Sequence, residues 1–102
     1  MTLRSVNPST GNTLQSFVEM TEDKVNAIVE CVHGAFNGWR KTSFSFRAER
    51  MKKVAHLLRD GKEEFGTLMT EEMGKPYKQS IAEVEKCAWV CEYYADNAEK
   101  FL

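Results

Sequence analysis

The sequence predicts a mainly α-helical fold of about four helices, preceded by a short amino-terminal β-hairpin. Three observations carry this. Two short runs that alternate apolar with polar residues flank a turn-rich cluster near the start. From Val25 onward, apolar residues recur three and four apart, the spacing of one face of a helix. Glycine and proline then punctuate the helical stretch at Gly61, Gly74 and Pro76, where an α-helix weakens or stops.

The alternating runs are Leu3–Val6 and Leu14–Val18. Between them, Pro8 presets φ, Gly11 can take positive φ, and the Asn and Ser side chains can bond nearby backbone. The hairpin is therefore assigned to residues 3–18 and a helical layer to 21–101, within a single compact unit of residues 1–102. Thr21 reads as an N-cap, with Glu22 and Asp23 in the first turn, where the helix dipole favours negative charge. Val25, Ile28, Val29, Val32, Phe36 and Trp39 form one stripe, which frays near Gly38 and Arg40.

Ser43 or Ser45 can cap a second helix whose inward face is Ala48, Met51, Val54, Ala55 and Leu58, with Arg47 and Arg59 facing outward. Gly61 interrupts it, since glycine costs roughly 1 kcal/mol in a helix interior relative to alanine. A third helix follows with Phe65, Leu68 and Met69 inward, and Gly74 and Pro76 suit a stop and a new start. The last helix carries Tyr77, Ile81, Val84, Ala88, Cys91, Ala95 and Ala98 on one face and runs into Phe101 and Leu102 without a cap. That open end gives the expectation that the natural chain continues.

Composition excludes several classes of function. Fourteen basic and fifteen acidic residues nearly cancel, so no long-range attraction draws nucleic acid or an anionic membrane. No apolar run approaches the roughly 20 residues that span a bilayer. Three cysteines are an odd number at no recognised disulfide or metal spacing, and a reducing cytoplasm is the simplest location.

No side-chain cluster marks a self-contained active site. Cys87 and Cys91 share a helix face at i, i+4 but lack the further ligands of a zinc site, and they read as small packing residues. His33 and His56 have no acidic or thiol partner at motif spacing and read as surface residues. Glu71, Glu72, Glu83 and Glu85 read as a solvated face. Gly74-Lys75-Pro76 lacks the strand and the remaining glycines of a phosphate loop. Trp39, Phe44, Phe46 and Trp89 read as core or interface packing, since no basic patch accompanies them.

Several stretches, in order and in register, resemble the aldehyde dehydrogenase family. Val6-Asn7-Pro8-Ser9-Thr10-Gly11 matches its opening motif, with Asn12 in place of the usual Glu. Ala35-Phe36, Trp39 and Arg47-Ala48-Glu49-Arg50 follow at the family distances. Glu72-Met73-Gly74-Lys75-Pro76, then Glu83-Val84-Glu85 and Tyr93-Tyr94-Ala95, complete the set. The resemblance covers essentially the whole chain. The stretch from Phe36 to Thr42 and the short lead before Asn7 resemble the succinate-semialdehyde dehydrogenase branch.

The resemblance implies a parent with a Rossmann-type α/β domain that binds NAD or NADP, a catalytic domain and an oligomerisation arm. There a Cys nucleophile attacks the aldehyde to give a thiohemiacetal, hydride passes to the nicotinamide, and a Glu-activated water hydrolyses the thioester. The family's catalytic Cys and Glu, its oxyanion Asn and its dinucleotide loop all match positions beyond Leu102. None of Cys31, Cys87 and Cys91 matches them, so no catalytic or cofactor-binding residue is assigned, and no cofactor is expected on this segment alone. Some members hold a monovalent cation at positions that correspond to Val6 and Glu72, where a backbone carbonyl and a carboxylate suit a hard ion. The expected role is thus the helical layer packed on the nucleotide-binding fold, in a homo-oligomer acting on an aldehyde. The last helix is expected near the aldehyde entrance. The alternative is a stand-alone helical interaction or oligomerisation module without enzymatic activity.

Overall fold

The computed structural model describes all residues, 1–102. Strands β1 (Thr2–Val6) and β2 (Thr13–Val18) pair antiparallel, with Thr2 opposite Val18 and an irregularity between Ser5 and Val6. The turn closes as its residue types dictate. Gly11 takes φ 76°, its N–H donates to the Asn7 carbonyl at 2.8 Å, and the Asn7 side chain accepts from the Ser9 N–H at 2.9 Å.

Four helices follow: α1 (Glu22–Trp39), α2 (Phe44–Asp60), α3 (Lys62–Met73) and α4 (Tyr77–Phe101). Thr21 caps α1 by accepting from the Lys24 N–H at 3.3 Å, and Ser43 caps α2 by accepting from the Phe46 N–H at 3.1 Å. Gly61 separates α2 from α3, and Gly74 ends α3 in the left-handed conformation at φ 73°. No helix is long and apolar enough to cross a membrane.

Packing departs from the expected faces. α4 lies along α2 and α3, whereas α1 runs along no other element. Only five residues are buried, Ala55, Gly66, Ser80, Val84 and Ala88, and all belong to the α2–α3–α4 unit. Four of the five are small, so these helices meet by close backbone approach. A Cβ on Gly66 would lie 2.6 Å from Ile81 Cδ1, so any side chain there would have to displace Ile81. The buried Ser80 hydroxyl shares a 3.0 Å hydrogen bond with Thr70, which spares it an unmade bond.

The expected inward residues Val54, Phe65, Leu68 and Tyr77 are exposed, because their helices have no layer on that side. Trp39, Phe46 and Trp89 are also open to solvent, although Trp39 and Phe46 meet edge to face at 6.2 Å between ring centroids. The expectation of compactness gives way to a slab of 46 × 40 × 21 Å. Its radius of gyration is 17.7 Å, against about 13 Å for a compact domain of this length.

Candidate functional site

The side-chain hydrogen bond that spans the most sequence joins two of the stretches that stood out in the sequence. Ser5 Oγ, at the end of β1, donates to Glu72 Oε1 on the last turn of α3 at 2.6 Å, across 67 residues of chain. A second contact seats the same segments together: a Cβ on Gly74 would approach Pro8 Cγ to 3.1 Å. Gly74 is therefore required twice, for its positive φ and for the closeness of the Pro8 ring. The Asn-Pro turn and the Glu-Met-Gly-Lys-Pro segment form one junction.

Val6 directly follows Ser5 in β1, so both residues named from the sequence as cation ligands, Val6 and Glu72, belong to this junction. The Glu72 carboxylate is engaged by one hydroxyl, and no lysine or arginine forms a salt bridge with it. An uncompensated carboxylate beside strand backbone and a hydroxyl is a donor set of hard oxygens. Ser5 was not foreseen. The alternation of β1 places Ser5 and Val6 on opposite faces but cannot say which meets a helix 67 residues away.

The remaining candidates are scattered. His56 has an acidic partner after all, Asp60 one turn on, with Nε2 to Oδ2 at 3.2 Å, which corrects the reading of an isolated histidine. Both His33 and His56 are exposed, on α1 and α2. Glu83 pairs with Lys75, and Glu85 with Arg59 and Lys62, so the acidic residues form no carboxylate dyad. Cys87 is exposed and Cys91 half-buried, so neither belongs to the core; both line a groove of about 740 Å³ on the side of α4. No group of three or more His, Cys, Asp or Glu residues could hold a metal ion.

An ion network ties α4 to α2 and α3. Arg59 Nη2 donates to Glu92 Oε2 at 2.9 Å and its Nε to Glu85 Oε2 at 3.2 Å, while Lys62 Nζ reaches Glu85 Oε1 at 3.0 Å. Hydrogen bonding to Lys62, and then to Arg59, holds the Glu85 carboxyl below its usual range. The Arg59 hydrogen bond does the same for Glu92 and raises the Arg59 guanidinium in turn. Arg59, expected outside, is thus half-buried and bridging.

Comparison with known proteins gives one consistent family. The aldehyde dehydrogenase family profile matches residues 1–102. Over all 102 residues the chain is 41% identical to a probable NADP(+) succinate-semialdehyde dehydrogenase of Synechocystis, covering 22% of that protein. It is 39% identical to succinate-semialdehyde dehydrogenase [NADP(+)] 1 of Mycobacterium tuberculosis, again covering 22% of it. The crystal structure of succinic semialdehyde dehydrogenase from Streptococcus pyogenes in complex with NADP+ superposes with TM-score 0.89 at 32% identity. That match covers 97% of this chain and 22% of the other. The structure of Gox0499 matches with TM-score 0.92 at 28% identity, over 100% of this chain and 23% of the other. The chain therefore spans about a fifth of the length of these relatives.

Proposed function

The chain belongs to the aldehyde dehydrogenase family, and from that premise we propose that it forms the amino-terminal layer of an NADP-dependent succinate-semialdehyde dehydrogenase. The observation that carries the substrate and cofactor is the 41% identity, over all 102 residues, to a relative of that name. The parent acts on succinate semialdehyde through a Cys nucleophile, and bound NADP supplies the hydride acceptor. The residues present do not fit that dinucleotide. The sheet is two antiparallel strands, and no glycine-rich loop leads from a strand into a helix. Nucleotide and nucleophile belong to other parts of the parent, so the 102-residue chain alone is inert.

What these residues contribute is placement. The Ser5–Glu72 bond and the Pro8–Gly74 contact pin the hairpin to the end of α3, and the bound monovalent cation would sit with Val6 and Glu72 there. The exposed stripe of α1 packs on the rest of the dehydrogenase, and the whole assembles as a homo-oligomer in the cytoplasm.

The test is an assay of the isolated chain with NADP+ and succinate semialdehyde, alone and after mixing with a Synechocystis-type relative truncated to lack its matching segment. No turnover alone and restored turnover in the mixture are expected. Turnover by the isolated chain overturns the placement of the active site elsewhere. A mixture that restores activity toward other aldehydes but not succinate semialdehyde overturns the substrate.

The α1 stripe also favours the second reading, a free-standing interaction module, because all its apolar residues are exposed. Sedimentation separates the two. A dimer that persists when the truncated relative is added supports the module, and one that dissociates into a mixed complex supports the dehydrogenase layer.

A further inference from the structure

Cys87 and Cys91 lie one turn apart on α4 and open onto the same groove, with Lys75, Glu83 and Lys86 around them. The dehydrogenase reading makes no use of either thiol. Cys87 is exposed, Cys91 is half-buried, and neither is in a disulfide. Cys31, the only other cysteine, is on α1.

Helix geometry decides what two thiols at this spacing can do. Positions four apart set their Cβ atoms about 5–6 Å from each other. A disulfide needs about 3.5–4.5 Å, so closing one would pull the turn out of shape. A bridging metal ion asks for more room: with metal–sulfur bonds of about the zinc–thiolate length, 2.3 Å, two in line hold the sulfurs up to about 4.6 Å apart. Side chains one turn apart on a helix face, in the rotamers a helix allows, can bring their sulfurs to that span without moving the backbone.

The surroundings then select the ion. Within the chain no third His, Cys, Asp or Glu joins the pair, and the one carboxylate lining the groove, Glu83, is taken up by Lys75. A tetrahedral zinc set is thus out of reach. Soft thiolates favour Cu(I), which is content with two ligands in line. Lys86 on the same groove offsets the charge that two thiolates bring.

We propose that the Cys87–Cys91 turn is a two-thiolate site for a soft monovalent cation of the Cu(I) type. Two thiols lose their protons and two Cu–S bonds form. The site carries one net negative charge, two protons leave to solvent, and no electron is transferred.

The test is an anaerobic titration of the reduced chain with Cu(I) in the presence of a coloured Cu(I) chelator. One equivalent of Cu(I) withdrawn from the chelator is expected. That equivalent is lost in both Cys87→Ser and Cys91→Ser and kept in Cys31→Ser, with unchanged helical circular dichroism in all three. Failure to withdraw copper overturns the site, as does withdrawal that survives Cys87→Ser. Withdrawal that needs Cys31 or falls on dilution indicates copper held between chains and also overturns it. Equal competition by Zn(II) rules out the two-coordinate geometry.

Discussion

Helices α1 and α4 carry equally regular stripes and meet opposite fates. α1 has a side-chain cap at Thr21, Glu22 and Asp23 at the positive end of its dipole, and an apolar stripe from Val25 to Trp39, yet it buries no residue. α4 has no side-chain cap, yet it carries Ser80, Val84 and Ala88, three of the five buried residues. The difference is one of partners. α4 presents small residues to α2 and α3, whose Ala55 and Gly66 allow close approach, and Arg59 clamps its outer side. α1 presents Val29, Val32 and Phe36 to solvent. Most helical stability in proteins comes from packing of an amphipathic face, so α1 depends on whatever covers its stripe.

The comparison breaks most visibly under charge insertion. Val84→Asp places an unpaired carboxylate at a position 2% exposed; such uncompensated buried charges cost about 3–5 kcal/mol. Loss of the cooperative thermal transition is expected. Val29→Asp, on the stripe of α1, is expected to stay within about 0.5 kcal/mol of the parent chain, as exposed substitutions do. Comparable losses in circular-dichroism melts would mean that α1 is packed in solution. Next in size comes Gly66→Leu, which drives a side chain into Ile81 and the α4 backbone. Overpacking of this kind costs about 1–3 kcal/mol, and a denaturant midpoint unchanged from the parent would show that α3 and α4 sit farther apart.

These contrasts mark what the sequence could tell. Helix positions and caps were legible because they rest on local chemistry: Thr21, Ser43, Gly61, Gly74 and Pro76 act on backbone within a few residues. The hairpin was legible for the same reason. Burial was not, because the period of a stripe names the face a helix hides and not the partner that hides it. Phe65 and Leu68 were expected inward and lie exposed, while Gly66 between them makes the closest approach. Of the three residues at the junction, the sequence named Val6 and Glu72. Its third member, Ser5, and the bridging role of Arg59 depend on contacts 67 and 33 residues apart in the chain, on which local pattern is silent.

Acid sharpens the same division. Glu85 and Glu92 have carboxyls held below their usual range by hydrogen bonds to Lys62 and Arg59. A carboxylate with a depressed folded pKa contributes stability that is present above its unfolded value and lost as pH falls through the folded one. The denaturant midpoint should therefore be flat down to about pH 4.3, the ordinary Glu value, and decline below it. In Arg59→Met the acid decline should be shallower, since much of the depression is gone. A variant that keeps the full decline would place the responsible carboxylates elsewhere.

The smallest effect tests whether α1 folds with the rest at all. Thr21 and Ser43 make the same bond, a side-chain oxygen accepting from the N–H three residues on, at 3.3 and 3.1 Å. Replacing such a cap with alanine costs typically about 1 kcal/mol. Ser43→Ala should charge that cost to global unfolding, because α2 packs along α4 and cannot fray without exposing Ala55 and Ala88. Thr21→Ala should leave the global transition where it was and appear only as faster amide exchange from Val25 to Val32. Equal shifts from the two caps would show that α1 and the α2–α4 unit unfold as one body, and that the exposed stripe finds a partner within the chain or in a second copy of it.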